Sequence, residues 1–354
     1  MNLDDLSRYQ QIDPRSMIAE IDGLPDQLGS AWELGRKLPL PDWKGIQRVV
    51  VSGVGGSAIG ADLLAAYVQP ACPVPVFVHR DYDLPAFASG PESLVVASSH
   101  SGNTEETLSG YELAVQRGCR VVAVSRGGKL EELSKKNKTP FWKFEHAGQP
   151  RAAVGYSFGL LLALFARLGL VPDQAEPVAG AVAAMKRSQQ HFKPEVPAVK
   201  NATKRYAGQL MGRIVTVVGA GLLVPVARRW KGQINELAKA AAQFEALPEA
   251  DHNTLQGLMF PENTLNAHTM TMFLRAPSDH PRNRLRSDLT RQAFMLEGLN
   301  TDFTDGRGDS PLAHMWTLIH FGDYMAYYLA IAYGIDPTPI PALENFKASL
   351  KDAK

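Results

Sequence analysis

A chain of 354 residues, 45% hydrophobic and 21% charged, has the composition of a globular protein of about two domains, not of a disordered one. Its 37 Lys+Arg against 36 Asp+Glu leave a formal net charge of +1, which excludes nucleic acid or an anionic membrane face as the principal partner. An anionic ligand must therefore be held by a local site, because no global field gathers it.

The opening residues, MNLDDLSRYQ, lack the basic-then-apolar order of a secretory signal. The most apolar run, 159–171, is broken by Arg167 and is too short to cross a bilayer. Cys72 and Cys119 lie among apolar residues without metal-ligand spacing, so the expectation is buried, reduced thiols, a cytoplasmic protein and no metal centre.

Residues 1–45 predict a helical preface. Ile18, Ile21, Leu24 and Leu28, then Leu34 and Leu38, recur at three- to four-residue spacing, with a break at Pro25 and a stop at Pro39 and Pro41. The pattern then changes to strands alternating with helices. Strands are expected at 48–52, 74–78, 94–98, 120–125 and 141–144, with helices from the glycine turn at 53–57 to about Tyr67 and over 105–117. Such alternation implies a parallel sheet covered on both faces. Helices are expected over 156–168 and 176–191. At Arg213 the first pattern returns, since Arg213-Ile-Val-Thr-Val-Val-Gly-Ala-Gly221 echoes Arg48-Val-Val-Val-Ser-Gly-Val-Gly-Gly56. Strands follow at about 269–274 and 300–303, and helices at 281–299, 311–333 and 342–350. The chain thus divides into a helix plus a first α/β unit (1–150), a helical connector (151–200) and a second, diverged unit with C-terminal helices (201–354).

Val96–Thr107, VASSHSGNTEET, is the most informative stretch. An apolar strand runs into a turn with Ser98, Ser99, Ser101, Asn103 and Thr104, and a helix begins at Glu105. Free N–H groups and hydroxyls at a helix N-terminus form a neutral anion cradle. A simple N-cap needs one such side chain, and four hydroxyls between Ser98 and Thr104 exceed that need. With Gly55 and Gly56 admitting close backbone approach, Ser57, Ser99, Ser101 and Thr104 can ring one terminal phosphate. Gly53-x-Gly55-x-x-Ala58 also fits a loose dinucleotide fingerprint, but Asp81 falls 28 residues past Gly53, where about 20 is usual. Arg307-Gly308-Asp309 reads as a polar turn. Trp316, Phe321, Tyr324, Tyr327 and Tyr328 read as core or subunit interface.

SGVGGSAIGADL (52–63) together with SSHSGNTEETL (98–108) resembles the sugar isomerase (SIS) domain. KGQINELAK (231–239), LPEADHN (247–253), PRAA (150–153) and the tail GIDPTP (334–339) with Lys347 resemble the bifunctional phosphoglucose/phosphomannose isomerases. The resemblance runs in order from about residue 48 to the C-terminus. It implies two SIS-type three-layer α/β/α sandwiches with parallel sheets, and cofactor-free interconversion of glucose 6-phosphate, and of mannose 6-phosphate, with fructose 6-phosphate. It also implies roles: Glu236 as proton-transfer base, Arg151 as stabiliser of enediolate charge, and Lys347 near the ring oxygen. His252 becomes the ring-opening acid/base, reaching the pocket from the neighbouring subunit of a homodimer. Some relatives carry a threonine seven positions before the lysine, where this chain has Ile340, with Thr338 the nearest. Two rivals stand beside this reading, a non-catalytic sugar-phosphate-binding SIS protein and a dinucleotide oxidoreductase. An amidotransferase-coupled isomerase is disfavoured, because neither position 1 nor 2 is Cys.

Overall fold

A computed structural model describes residues 2–353. The preface is three helices: α1 (Ser7–Ile12), α2 (Met17–Asp22) and α3 (Leu24–Lys37). Pro25 sits in the first turn of α3, where its missing N–H costs nothing, so the break falls just before it. The first sheet unit follows as β1 (Arg48–Ser52), α4 (Gly55–Val68), β2 (Val76–His79), β3 (Ser93–Ser98), α5 (Glu105–Gln116), β4 (Arg120–Ser125), α6 (Lys129–Asn137) and β5 (Phe141–Lys143). Next come α7 (Val154–Arg167), α8 (Ala175–Gln189) and α9 (Ala202–Leu210). The second unit is β6 (Ile214–Ala220), α10 (Val224–Ala238), β7 (Ala242–Leu247), α11 (Glu262–His268), β8 (Thr269–Arg275), α12 (Pro281–Leu296) and β9 (Thr301–Asp305). The chain closes with α13 (Pro311–Tyr333) and α14 (Pro341–Asp352).

Both sheets are wholly parallel, ordered β2-β1-β3-β4-β5 and β7-β6-β8-β9. Written by order within each unit, the second is 2-1-3-4, the first four strands of the 2-1-3-4-5 of the first. The repeated sequence pattern therefore encodes a repeated topology. Val49–Val51, Leu94–Ala97 and Val121–Val124 are sealed from solvent on both faces, which is why these strands read as unbroken apolar runs.

The main core lies between the two sheets. Helix α13 is buried from Leu312 to Ala332 and packs against α8, α9 and α10, while α7 packs against α3 and α4. Trp316, Phe321, Tyr324, Tyr327 and Tyr328 belong to this core. Ser310 caps α13 by accepting from the Ala313 N–H, and Gly334, at φ +71°, ends it. No helix among the described residues is long and apolar enough to cross a membrane.

Several expectations need correction. The second strand starts at Val76 because Pro75 has no N–H, although its carbonyl still accepts from Val49. β7 was not expected: AQFEAL is an edge strand, largely half-exposed, and lacks the β-branched run of an interior strand. Helices α6, α9 and α11 were also not expected. Both cysteines are free, as expected, but half-buried instead of buried.

Candidate active site

The two central strands of the first sheet end side by side, and their following turns form one wall. After β1 the chain enters α4 directly through Gly55, Gly56 and Ser57, with no side-chain cap and no acidic residue in the first turn. That N-terminus keeps its positive dipole end and free N–H groups uncompensated. Gly56 is required here: a Cβ would stand 2.7 Å from the Pro150 carbonyl oxygen and 3.5 Å from Arg151 Cα. After β3 the Ser99 and Thr104 hydroxyls lie 2.8 Å apart, and Ser99 Oγ accepts from the Gly102 N–H at 3.0 Å. Ser101 Oγ accepts from the Asn103 N–H at 3.2 Å and is exposed. Thr104 stands at the N-cap of α5 without capping it, its hydroxyl being engaged with Ser99.

Arg151 faces this wall. It lies in a short 3-10 turn, Pro150–Ala152, ahead of α7, and so escapes the dipole cost expected of an arginine opening a helix. The residue is 3% exposed. Its Nη2 donates to the carbonyls of Pro337 (2.8 Å) and Thr338 (2.5 Å), and its own carbonyl accepts from Arg229 Nη1 at 2.7 Å. Arg229 is held by a buried bidentate pair with Asp323, at 2.9 and 3.3 Å. Burial lowers the Arg151 pKa, while Glu236 and Glu20 pull it up. A guanidinium stays charged under such opposing influences. Two of its donors, Nε and Nη1, are buried and have no hydrogen-bond partner.

Glu236 lies in the last turn of α10, its carboxylate oxygen 3.9 Å from Arg151 Nη1. An i,i+3 pair between Glu236 and Lys239, the unremarkable alternative, does not form. Lys239 Nζ instead shares its three hydrogens among four backbone carbonyls within hydrogen-bond distance: Glu236 at 3.0 Å, Leu237 at 3.1 Å, Asp336 at 2.9 Å and Pro337 at 3.0 Å. Burial and then the Arg151 charge push its ammonium down to about 8. Glu236 is left facing the arginine.

Within one chain the structure sets Arg151 against the glycine turn, Glu236 beside Arg151, and the serine turn after the strand paired with the one that leads into the glycine turn. It does not bring in the other two expected residues. His252, itself exposed, ends a 3-10 turn after β7, and Lys347 lies on α14, whose residues 341–350 are exposed. Neither makes a hydrogen bond or ion pair to the site among the described residues.

Sequence reasoning missed three features. Thr338 is 4% exposed, and its hydroxyl has no hydrogen-bond partner while its carbonyl holds Arg151. Lys239, inside the 231–239 motif, has no role in the sequence reading. Behind the serine turn, His100 Nε2 lies 3.0 Å from His146 Nδ1, and His146 Nε2 lies 3.6 Å from a Glu20 carboxylate oxygen. Burial, then His146 and Arg126, depress the His100 pKa to about 4, and burial raises that of Glu20. The only cue to this row was His100 itself, set between two serines.

The family model for the bacterial phospho-glucose isomerase C-terminal SIS domain matches residues 199–350. The chain is 39% identical over 342 residues to the bifunctional phosphoglucose/phosphomannose isomerase of Caldicellulosiruptor bescii, covering 96% of this chain and 100% of that protein. It is 34% identical to the protein of the same name from Aquifex aeolicus, covering 88% and 92%. A solved glucose-6-phosphate isomerase like protein from Thermus thermophilus superposes with a TM-score of 0.64 at 20% identity, over 96% of this chain and 98% of that one, a likeness of fold alone. On the strength of the full-length relatives, this chain belongs to the bifunctional phosphoglucose/phosphomannose isomerase family.

Proposed function

We propose that the protein is an aldose–ketose isomerase, interconverting glucose 6-phosphate and mannose 6-phosphate with fructose 6-phosphate. The observation that carries this reading is the Arg151–Glu236 pair: a buried guanidinium with two unspent donors, 3.9 Å from a carboxylate, opposite an uncapped helix N-terminus. The phosphate sits against Gly55, Gly56 and Ser57 at the start of α4 and against Ser99, Ser101 and Thr104. Both anchors are neutral, so the phosphate dianion is bound without cancelling the Arg151 charge.

Isomerisation moves one carbon-bound proton between C1 and C2 and one hydroxyl proton between O2 and O1, the latter passing between the adjacent oxygens of the intermediate. Glu236 takes the C–H proton from one carbon as the carbonyl oxygen of its neighbour gains negative charge, giving an enediolate. The same carboxylic acid returns the proton to the other carbon. The free Nε and Nη1 donors of Arg151 face the developing oxyanion, where a fixed charge in a water-poor site acts most strongly.

The open ring must come from the cyclic sugar, which needs an acid/base at the ring oxygen. His252 and Lys347 are assigned to that step in a homodimer, His252 acting in the site of the second subunit. Two features support an intersubunit arrangement. The segment after His252 leads to Met259 and Phe260, 55% and 78% exposed, and α12 carries Leu289 and Leu296 at 54% and 79%. Helix α14 likewise exposes Leu343, Phe346 and Leu350 around Lys347. Such apolar surface is suited to contact with a second copy. A cytoplasmic location is part of the same proposal.

A coupled assay with fructose 6-phosphate on the wild type, Glu236→Gln and Ser101→Ala tests the reading. The first variant should lose nearly all turnover with binding kept, and the second should bind more weakly. Normal isomerisation by both would refute the assignment, and NAD binding with indifference to phosphosugars would establish the oxidoreductase rival.

A further inference from the structure

Lys239 is not accounted for by the chemistry above. It ends α10 at φ +52°, a left-handed conformation that costs a side chain roughly 1–2 kcal/mol and is normally filled by glycine. Its ammonium is partly desolvated and faces Arg151, a like charge. Local stability favours neither feature. Strain kept at such a point calls for a function.

The hydrogen bonds supply one. Two of the four carbonyls on Nζ, those of Glu236 and Leu237, belong to the last turn of α10, the turn that carries the Glu236 carboxylate. The other two, Asp336 and Pro337, belong to the segment after α13, and the Pro337 carbonyl also accepts from Arg151 Nη2. One compact cation therefore fastens the helix bearing the carboxylate to the strip of backbone that aims the guanidinium.

We propose that Lys239 is a positioning residue for the Arg151–Glu236 pair, its ammonium setting the spacing between acid/base and oxyanion holder without touching substrate. This rests on the isomerase reading of the site. The position demands a left-handed backbone, a point-like donor with three hydrogens, and reach to both segments. Glycine meets only the first requirement. The charged groups facing Nζ are Arg151, Glu236 and Asp336, and Arg213 and His268 share the groove on its far side.

The sign of its titration separates positioning from capping. A lysine held below its ordinary 10.5, at about 8, is easier to deprotonate folded than unfolded, so its charge opposes folding at neutral pH. That cost fades as pH rises through 8 toward 10.5. Removing the charge should therefore not lower stability, whereas it should impair turnover.

The test compares the full-length wild type with Lys239→Gly and Lys239→Arg in the coupled fructose 6-phosphate assay, with thermal midpoints and a pH profile. Lys239→Gly should keep or raise the midpoint, keep KM within about twofold, and lower kcat about ten- to a hundredfold, as expected for a small misplacement of reacting groups. The wild type should lose kcat above about pH 8, a limb absent from Lys239→Gly and displaced upward in Lys239→Arg, which should recover part of the rate. Full kcat in Lys239→Gly would overturn the proposal, as would a fall in midpoint together with a rise in KM, which marks a structural cap. A wild type that does not isomerise phosphosugars would defeat the isomerase reading itself, and this role with it.

Discussion

The two sheet units share a strand order and use it from opposite ends. In the first, β1 feeds α4 at its N-terminus, and the uncapped turn Gly55–Ser57 is the part proposed to hold the phosphate. In the second, the matching strand β6 feeds α10 through Gly221, and it is the last turn of that helix, with Glu236, that reaches the site. A helix N-terminus suits a bound anion, whereas a C-terminus, with its negative dipole end, suits a residue that must accept a proton. The next turn differs as well. After β3 the first unit presents serine and threonine hydroxyls. After β8 the second fills the matching place with its own carboxylate, Asp279 accepting from the Ala276 N–H at 2.7 Å. On the proposed reading, the duplicated fold binds a phosphate in one copy and closes that position in the other.

The largest test of this division is Glu236→Gln, which removes the second unit's contribution and leaves the cradle of the first. kcat for fructose 6-phosphate should fall by about 10²–10⁴-fold with little change in affinity, measured by steady-state kinetics and ligand titration. Next is the support behind Arg151. Asp323→Ala leaves the buried Arg229 unpaired behind the Arg151 carbonyl and should cost about 3–5 kcal/mol in a denaturant titration. A loss below about 1 kcal/mol would show that the pair does not brace Arg229 against the Arg151 carbonyl.

The two glycine turns should respond differently. Gly56→Ala drives a Cβ into the Pro150 carbonyl and should raise KM about tenfold by displacing Arg151 from the cradle. Gly221→Ala meets open space at φ +51°, so it should cost only the roughly 1–2 kcal/mol of left-handed backbone strain and leave KM alone. Equal effects on KM would erase the functional asymmetry.

The smallest effects lie in the pH dependence of stability, where the units should tilt opposite ways. Burial depresses His100 from 6.5 to about 4, so its contribution is present above 6.5 and lost as pH falls toward 4. Burial raises Asp279 from 3.8 to about 6, so its contribution is present below 3.8 and lost as pH rises through 6. Between about pH 4 and 7 the wild-type thermal midpoint should climb relative to His100→Asn and decline relative to Asp279→Asn. Two flat differences would remove both assignments.

Much of this was legible in the linear chain. Val49–Val51, Leu94–Ala97 and Val121–Val124 announce buried parallel strands, because a strand covered on both faces has no polar alternation. The serine turn stands out because its hydroxyls exceed what a helix cap uses. The return of the first pattern at Arg213 correctly signals a second copy, since both copies must build the same strand–turn–helix. β7 was missed because an edge strand half open to solvent carries little apolar signal, and the cysteines were misplaced because apolar neighbours in sequence do not ensure burial in space.

Tertiary structure alone decided who meets whom. Sequence could nominate Arg151 and Glu236, but their approach depends on Arg229 and Asp323, on the 336–338 backbone and on Gly56, all distant along the chain. It could not show Lys239 turning from the Glu236 carboxylate to four carbonyls, nor His146 and Glu20 lining up behind His100. Periodicity and turn chemistry are written locally because they answer to water and to the backbone. The distances that make a site answer to packing, which no local pattern records.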